Sequence, residues 1–356
     1  MDKFSSKPRV LLSTQSLAPG NGGICAVARI TASALLDRCR IEVLACQDTS
    51  DHRIETIPVR SFGNRRLRFL LANLAASQRA THVIYDFAGT ARAHVDLPFR
   101  RRPYAVWVHG LEVWDASPRK YLRAVSDASL ILANSAYTIA RANGMLPSNV
   151  EIMTCPPGTP QDTPPGRIGP PDGPPTVMLL GRADGLFAKG HDILIEVWPD
   201  VVSAVPDARL LLVGGGNALG RVRDLARVSS VCNSIEIAGF VPDNALDAYW
   251  GRAAVFAMLG YTEGFGLVYI EAMRRGLPVI ASTDDAGQEI NIDGKTGFNV
   301  PCKDKWRLTE VLVMLLRNRD LARCLGAAGH LRWNEQYAFS AFKHRFTNAT
   351  KKFLSA

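Results

Sequence analysis

Residues 254–282 read AVFAMLGYTEGFGLVYIEAMRRGLPVIAS. An apolar run, Ala254–Met258, leads into a glycine-bearing turn, a helical stretch and a second apolar run, Pro278–Ser282. Strand, helix and strand in that order make a βαβ unit, and near-continuous apolar strands imply a parallel sheet covered on both faces. Gly264 and Gly266 remove side chains where the helix begins, and the free amides of a helix N-terminus attract anions. Glu263 precedes the turn, and Glu271 lies eight residues on, about two turns down the helix. Carboxylates accept well from paired hydroxyls such as those of a sugar or a ribose. A lone glutamate here equally suits the helix dipole, with Glu271 simply solvated.

The same alternation runs outward in both directions. Strands are expected at Val10–Ser13, Ile41–Ala45, Val83–Tyr85, Ala105–Val108 and Leu130–Ala133, then at Thr176–Leu180, Arg209–Val213, Ser234–Ile237 and Gly297–Val300. Amphipathic helices fall between them, among them Cys25–Leu36, Asp192–Val205 and Lys305–Asn318. Residues 156–175, PPGTPQDTPPGRIGPPDGPP, hold nine of the 21 prolines. Proline fixes φ and removes an amide donor, so neither helix nor central strand survives there. The expected organisation is a first domain over 1–160, a linker over 161–175 and a second domain over 176–335. A final helix over 336–356 would cross back to the first domain. Two Rossmann-like, doubly wound α/β domains facing across a cleft would bind ligands beyond the carboxyl ends of their strands.

The 356 residues are 47% apolar and 21% charged, ordinary for a soluble globular chain. No stretch approaches the roughly 20 apolar residues of a membrane span. The first residues lack the apolar core of a signal peptide, which sets the cytoplasm as the expected location. Seven scattered cysteines without a CxxC pair argue against a disulfide scaffold or a structural zinc site.

Further motifs sit at strand ends. Val177–Leu180 runs into Gly181-Arg182, and Lys189-Gly190-His191-Asp192 opens the next helix. Two cations beside a helix start suit a diphosphate, and an arginine fork binds phosphate bidentately. Taken alone, both fit solvated loop charges. His191 reads as a helix-start residue. Pro19-Gly20-Asn21-Gly22-Gly23-Ile24 follows the first strand, and its glycines let backbone approach a ligand closely. The dinucleotide pattern G-x-G-x-x-G is met neither there nor at Gly214-Gly215-Gly216. His109 ends the strand Val106-Trp107-Val108, either as a site residue or as a structural histidine. Asn134 and Ser135 follow the next strand, either lining the cleft or capping a helix.

The pattern E-G-F-G-x(4)-E-A-M-x(2)-G-x-P-V-I resembles the signature of the retaining family 4 glycosyltransferases, which have the two-domain GT-B fold. The resemblance implies transfer of a hexose, mannose or glucose, from a GDP- or UDP-linked donor to a glycan or lipid-linked acceptor, in polysaccharide or lipopolysaccharide biosynthesis of bacterial type. It makes 1–160 the acceptor-binding domain and 176–335 the donor domain, and gives Glu263 the donor sugar's hydroxyls and Glu271 the ribose. Gly264, Phe265, Gly266 and Leu267 offer amides to sugar and phosphates. Arg182 and Lys189, with Gly181 beside them, bind the diphosphate and stabilise the leaving group. Gly22 and Gly23 match the family's N-terminal glycine loop, and His109 its sugar-binding histidine. Relatives carry two glycines where this chain has Ala286-Gly287; Glu289 keeps its place, and Asp284 gains no support as a nucleophile. The chain has no DxD triplet or HExxH cluster, so no metal and no cofactor beyond the donor are expected. A soluble transferase acting on a small acceptor such as a sugar phosphate, and a non-catalytic binder of the same fold, are the alternatives.

The net charge of +9 is uneven. Residues 1–160 hold 20 Lys/Arg against 12 Asp/Glu, and residues 161–356 hold 22 against 21. The surplus gathers at Arg65-Arg66-Leu67-Arg68 ahead of the apolar Phe69–Leu74, at Arg100–Arg102 and at Arg119–Arg123. A basic amphipathic stretch suits an anionic membrane surface, which would make the enzyme peripheral at the inner face of the plasma membrane. The same stretch also fits simple burial of its apolar side. The clusters lack interleaved aromatics and any nucleic-acid-binding motif, so no nucleic-acid partner is expected.

Overall fold

The computed structural model describes residues 7–98, 101–114, 119–142, 144–184 and 189–355. The chain divides into two compact units, Met1–Pro160 with Phe339–Ala356, and Gln161–Ala338. Arg100 and residues 185–188, between Arg182 and Lys189, lie outside the described residues.

The first unit runs β1 (Arg9–Thr14), α1 (Gly23–Leu35), β2 (Arg40–Ala45), β3 (His52–Ile54), β4 (Ile57–Ser61), α2 (Arg66–Arg79), β5 (His82–Tyr85), α3 (Ala88–Ala91), β6 (Tyr104–Val108), α4 (Arg119–Ser126), β7 (Leu130–Ala133), α5 (Ala136–Arg141) and β8 (Glu151–Thr154). Its sheet has the order β3-β4-β2-β1-β5-β6-β7-β8. All pairs are parallel except β3 with β4. The strand order reverses beside β1, so the loops after β1 and β5 flank a switch point.

The second unit runs β9 (Thr176–Leu180), α6 (His191–Ala204), β10 (Arg209–Val213), α7 (Leu219–Val228), β11 (Ile235–Gly239), α8 (Leu246–Trp250), β12 (Val255–Met258), α9 (Leu267–Arg274), β13 (Val279–Ser282), α10 (Gly287–Ile290), β14 (Gly297–Val300), α11 (Lys305–Arg317) and α12 (Arg319–Gln336). Its all-parallel sheet has the order β11-β10-β9-β12-β13-β14, with the switch between β9 and β12. The period-2 alternation of strands sorts their side chains into two cores. Val177, Leu179, Leu210 and Leu212 join one core, and Met178, Leu211 and Val213 the other. Burial on both faces explains why these strands read as unbroken apolar runs.

The last helix, α13 (Phe339–Ser355), belongs to the first unit. Phe346 stacks on Trp107 at 6.2 Å and 6°, and Phe342 at 6.5 Å; all three rings are buried. Burying each such side chain contributes about 1.5–3 kcal/mol.

The sequence reading missed three strands and misjudged the linker. β3 and β4 form a short edge hairpin that turns at Glu55, a residue with φ of 52°. β4 alternates buried and exposed positions, and Pro58 interrupts it, so its strand signal is weak. β8 is a four-residue edge strand with only partly buried side chains. The stretch 161–175 lies in the second unit and is pinned to it. Its prolines donate nothing, but carbonyls still accept. Arg274 Nε donates to Thr163 O at 2.9 Å, Arg319 to Gly173 O at 3.0 Å, and Gly169 N to Arg275 O at 2.7 Å. Arg323 pairs with Asp172 at 2.9 Å.

Candidate active site

Every sequence-derived site residue of the second unit follows the carboxyl end of a parallel strand or lies on the helix beyond it. After β9, Gly181 donates its amide to Val213 O at 2.9 Å. The next loop presses close: a Cβ on Gly214 would lie 2.0 Å from Gly181 O, and one on Gly216 2.3 Å from Ala183 O. The Gly214–Gly216 run therefore serves loop packing. The Arg182 side chain is 71% exposed, and its Nε donates to Asp184 Oδ2 at 2.6 Å. That bond holds the Asp184 carboxyl below the usual range. Lys189 forms an ion pair with Glu263, and both side chains are about four-fifths buried. Gly190 begins α6 at φ of 84°, where a Cβ would meet Leu259 O at 2.8 Å. His191 is buried; desolvation pushes its pKa down to about 4 and keeps it neutral.

After β12, Gly264, Phe265 and Gly266 are buried, and Leu267 is half-buried. Phe265 points its ring into the core, 6.0 Å from Tyr337, which leaves only its backbone for a ligand. Gly266 caps α9 at φ of 94°, and a Cβ there would lie 2.4 Å from the Tyr269 ring. Tyr269 donates to Met258 O at 2.9 Å, tying α9 to its strand. The half-buried Glu271 makes no side-chain hydrogen bond or ion pair among the described residues. Burial pushes its carboxyl up to about 7, although Arg275 and Arg274 oppose the shift. An acceptor so placed is short of donors. After β13, Asp284 Oδ2 accepts from Cys302 N at 2.8 Å, fastening the loop, and Asp285 is fully buried.

In the first unit, Gly22 precedes α1 at φ of 88°, and an added Cβ there meets open space. Gly22 and Gly23 are exposed. The loop is held from below: Asp48 accepts from Ser16 Oγ at 2.5 Å and from Leu17 N at 3.0 Å, while Asn21 donates to Ser16 Oγ at 2.8 Å. His109 Nε2 lies 2.7 Å from Asp86 O. A carbonyl only accepts, so Nε2 donates this bond and Nδ1 is left for another partner. Glu112 accepts from His109 N at 2.5 Å, and Asn134 Nδ2 donates to His109 O at 3.1 Å. Asn134 thus fixes His109, and Ser135 caps α5 by accepting from Thr138 N at 2.9 Å. Behind His109, the buried Asp86 accepts from Gln15 N at 2.7 Å and Thr90 Oγ1 at 2.5 Å, and burial still pushes it up to about 7.

A family model for glycosyl transferases group 1 matches residues 161–332. The chain is 31% identical over 262 residues to the GDP-mannose-dependent monoacylated alpha-(1-6)-phosphatidylinositol monomannoside mannosyltransferase of Corynebacterium glutamicum, covering 67% of this chain and 68% of that one. The chain belongs to the group 1 glycosyltransferases. It is also 32% identical over 245 residues to the GDP-mannose-dependent alpha-(1-6)-phosphatidylinositol monomannoside mannosyltransferase of Mycobacterium tuberculosis, across 62% of each chain. Its fold is GT-B. It resembles sucrose-phosphate synthase from Thermosynechococcus elongatus with a TM-score of 0.79 at 18% identity, over 98% of this chain and 99% of that one.

A glycosyltransferase must steady a leaving phosphate and hold sugar hydroxyls, and the second unit offers charged groups of both kinds. The structure brings Lys189, Glu263 and Gly266 together at one edge. It turns Arg182 outward onto Asp184. Three carboxylates that the motifs gave no role, Asp86, Asp184 and Asp285, follow β5, β9 and β13. Their position just beyond strand ends is the signal that would have found them.

Proposed function

We propose that this glycosyltransferase transfers mannose from a GDP-linked donor to a phosphate-bearing lipid or glycan acceptor, with retention of configuration and without a metal ion. The observation that carries the reading is the Lys189–Glu263 pair beside the start of α9, with the donor-short Glu271 further along the same helix. Substrate chemistry explains both. The donor diphosphate draws Lys189 away from Glu263 and engages the Nη edge of Arg182, which Asp184 leaves open. The freed Glu263 accepts from sugar hydroxyls. Glu271 accepts from the ribose hydroxyls, and the amides of 264–267 face the anion. In the first unit, His109 offers its Nδ1 edge to a sugar hydroxyl, and Gly22 and Gly23 offer bare backbone. The bond from the anomeric carbon to the diphosphate oxygen breaks as the acceptor oxygen bonds to the same face. The acceptor proton passes to the departing phosphate, which leaves with the nucleotide. Fixed cations lower the barrier by opposing the charge that develops on that phosphate.

Both relatives are named for phosphatidylinositol monomannosides, and the surface of α2 supports a lipid acceptor. Leu67, Leu70 and Leu71 are 71%, 42% and 60% exposed beside Arg65, Arg66 and Arg68, while Phe69 and Asn73 face the core. An exposed leucine stripe bordered by arginines suits an anionic bilayer surface. No helix among the described residues is long and apolar enough to cross a membrane. A thermal-shift screen of nucleotides tests the donor assignment, because a ligand bound only to the native state raises the melting temperature. GDP and GDP-mannose are expected to raise it most; equal or larger shifts with UDP-glucose would move the donor to the alternative base, and no shift with any nucleotide would refute the reading.

A further inference from the structure

Asp285 has no part in the reaction as derived above, yet it sits against the groups that do. It follows β13, is fully buried, and accepts from Gly287 N at 2.8 Å through Oδ1. Its Oδ2 is buried with no hydrogen-bond partner. The next residue joins its loop to the donor site, because Ala286 N donates to Glu263 O at 3.1 Å. Tyr269 lies between the two carboxylates. A Cβ on Gly266 would meet its ring beside Glu263 Cγ, and a Cβ on Gly287 would meet the same ring and Asp285 Oδ1. The charged and titratable groups facing Asp285 are Lys189 from the β9–α6 loop, Glu263 and Tyr269 from the β12–α9 segment, Cys302 beyond β14, and its own neighbour Asp284. Asp285 therefore lies beside the Lys189–Glu263 pair, within range of the lysine's charge but without an ion pair to it.

We propose that Asp285, buried behind Glu263 with one carboxyl oxygen unpartnered, is a positioning residue of the donor site that leaves Lys189 to be shared only between Glu263 and the donor diphosphate. This rests on the reading of Lys189 as a diphosphate ligand. Desolvation, aided by the charge of Glu263, raises the Asp285 carboxyl to about 8. Tyr269 is raised well above 10 and Cys302 to about 12, so both stay neutral where Asp285 titrates. When Asp285 ionises, it adds a second negative charge beside Lys189 and repels the incoming diphosphate. A bound diphosphate raises the Asp285 carboxyl further, so nucleotide binding takes up a proton on the alkaline side. Glu271 does the opposite on the acid side, losing a proton as ribose hydroxyls bond to it, and at pH 8.5 it is already ionised.

The test is calorimetric titration of the full chain with GDP at pH 8.5, in two buffers of different ionisation enthalpy. Wild type is expected to take up roughly half a proton or more per nucleotide. Asp285→Asn keeps the acceptor for Gly287 N and removes the titration, so its uptake falls to zero. With GDP-mannose, kcat/KM of wild type falls about tenfold per pH unit above pH 8, and the profile of Asp285→Asn is flat there. A purely structural role would lower the melting temperature of the variant and leave the proton linkage intact, which overturns the proposal. So does wild type binding GDP without proton uptake, a result that needs no variant. If no nucleotide binds at all, the donor-site reading falls, and this proposal with it.

Discussion

Replacing Glu271 with Gln separates a ligand acceptor from a structural acid. The wild-type carboxyl stands at about 7 against an ordinary 4.5, because burial penalises its charge. At 1.36 kcal/mol per pH unit, that difference is at most about 3 kcal/mol of native-state penalty. The native state binds the extra proton, so the penalty is absent below pH 4.5, grows as the pH rises, and is complete above pH 7. Gln carries no charge, so Glu271→Gln should stabilise the second unit at pH 8 by up to about 3 kcal/mol, and by roughly half that near pH 5.5. For a unit of this size, each kcal/mol is worth about 2–4 °C in melting temperature. Nucleotide binding should move the other way. Hydrogen bonds to a charged acceptor contribute about 1.5–3 kcal/mol, so a loss of roughly 30-fold in GDP affinity is expected. Wild-type affinity should also weaken about tenfold per pH unit below 7, as the acceptor gains a proton. Scanning calorimetry and titration calorimetry at pH 5.5 and pH 8 read both effects. A variant that melts lower at pH 8, or binds GDP as wild type does, refutes the role given to Glu271.

Three other changes probe separate links. Gly266→Ala forces a side chain into the left-handed region and onto the Tyr269 ring, and denaturation should show a loss of about 2–4 kcal/mol. Phe346→Ala removes the ring stacked on Trp107; a loss of about 3–5 kcal/mol is expected in urea unfolding of the first unit, and an unchanged midpoint would detach α13 from that core. Replacing Leu67, Leu70 and Leu71 together by Ser should weaken binding to phosphatidylinositol-containing vesicles by a hundredfold or more, since each buried leucine contributes about 1.5–3 kcal/mol. Unaltered vesicle binding would leave the small-acceptor alternative in its place.

The fold was legible where burial is symmetrical. Strands such as Val177–Leu180 and Leu210–Val213 lie between two helical layers, so every position is apolar and the run stands out. β3 and β8 are the edge strands of their sheet and β4 lies next to β3, all three with few buried positions, and Pro58 and Glu55 disguise the hairpin. The proline-rich stretch read as a linker because proline content reports missing donors, while its packing against the second unit depends on arginines about a hundred or more residues away, Arg274, Arg319 and Arg323. In the site, glycines and glutamates at fixed spacing were readable because their geometry is local. The Gly266 turn and the Ser135 cap each follow from a few neighbouring residues. The partners of the charged groups were not readable. Lys189 meets Glu263 across 74 positions of chain, and Asp285 gains its character from desolvation, which no short motif encodes.

The central assignment is that the second unit activates a nucleotide-linked sugar and that transfer retains configuration. It is tested most directly by incubating the full chain with GDP-mannose, phosphatidylinositol mannoside vesicles and EDTA, and reading the product's anomeric configuration by NMR. An α-linked mannoside that forms in the chelator and is lost in Lys189→Ala and Glu263→Ala is expected. A β-linked product, transfer that stops when EDTA is added, or transfer unaffected by either substitution would contradict it.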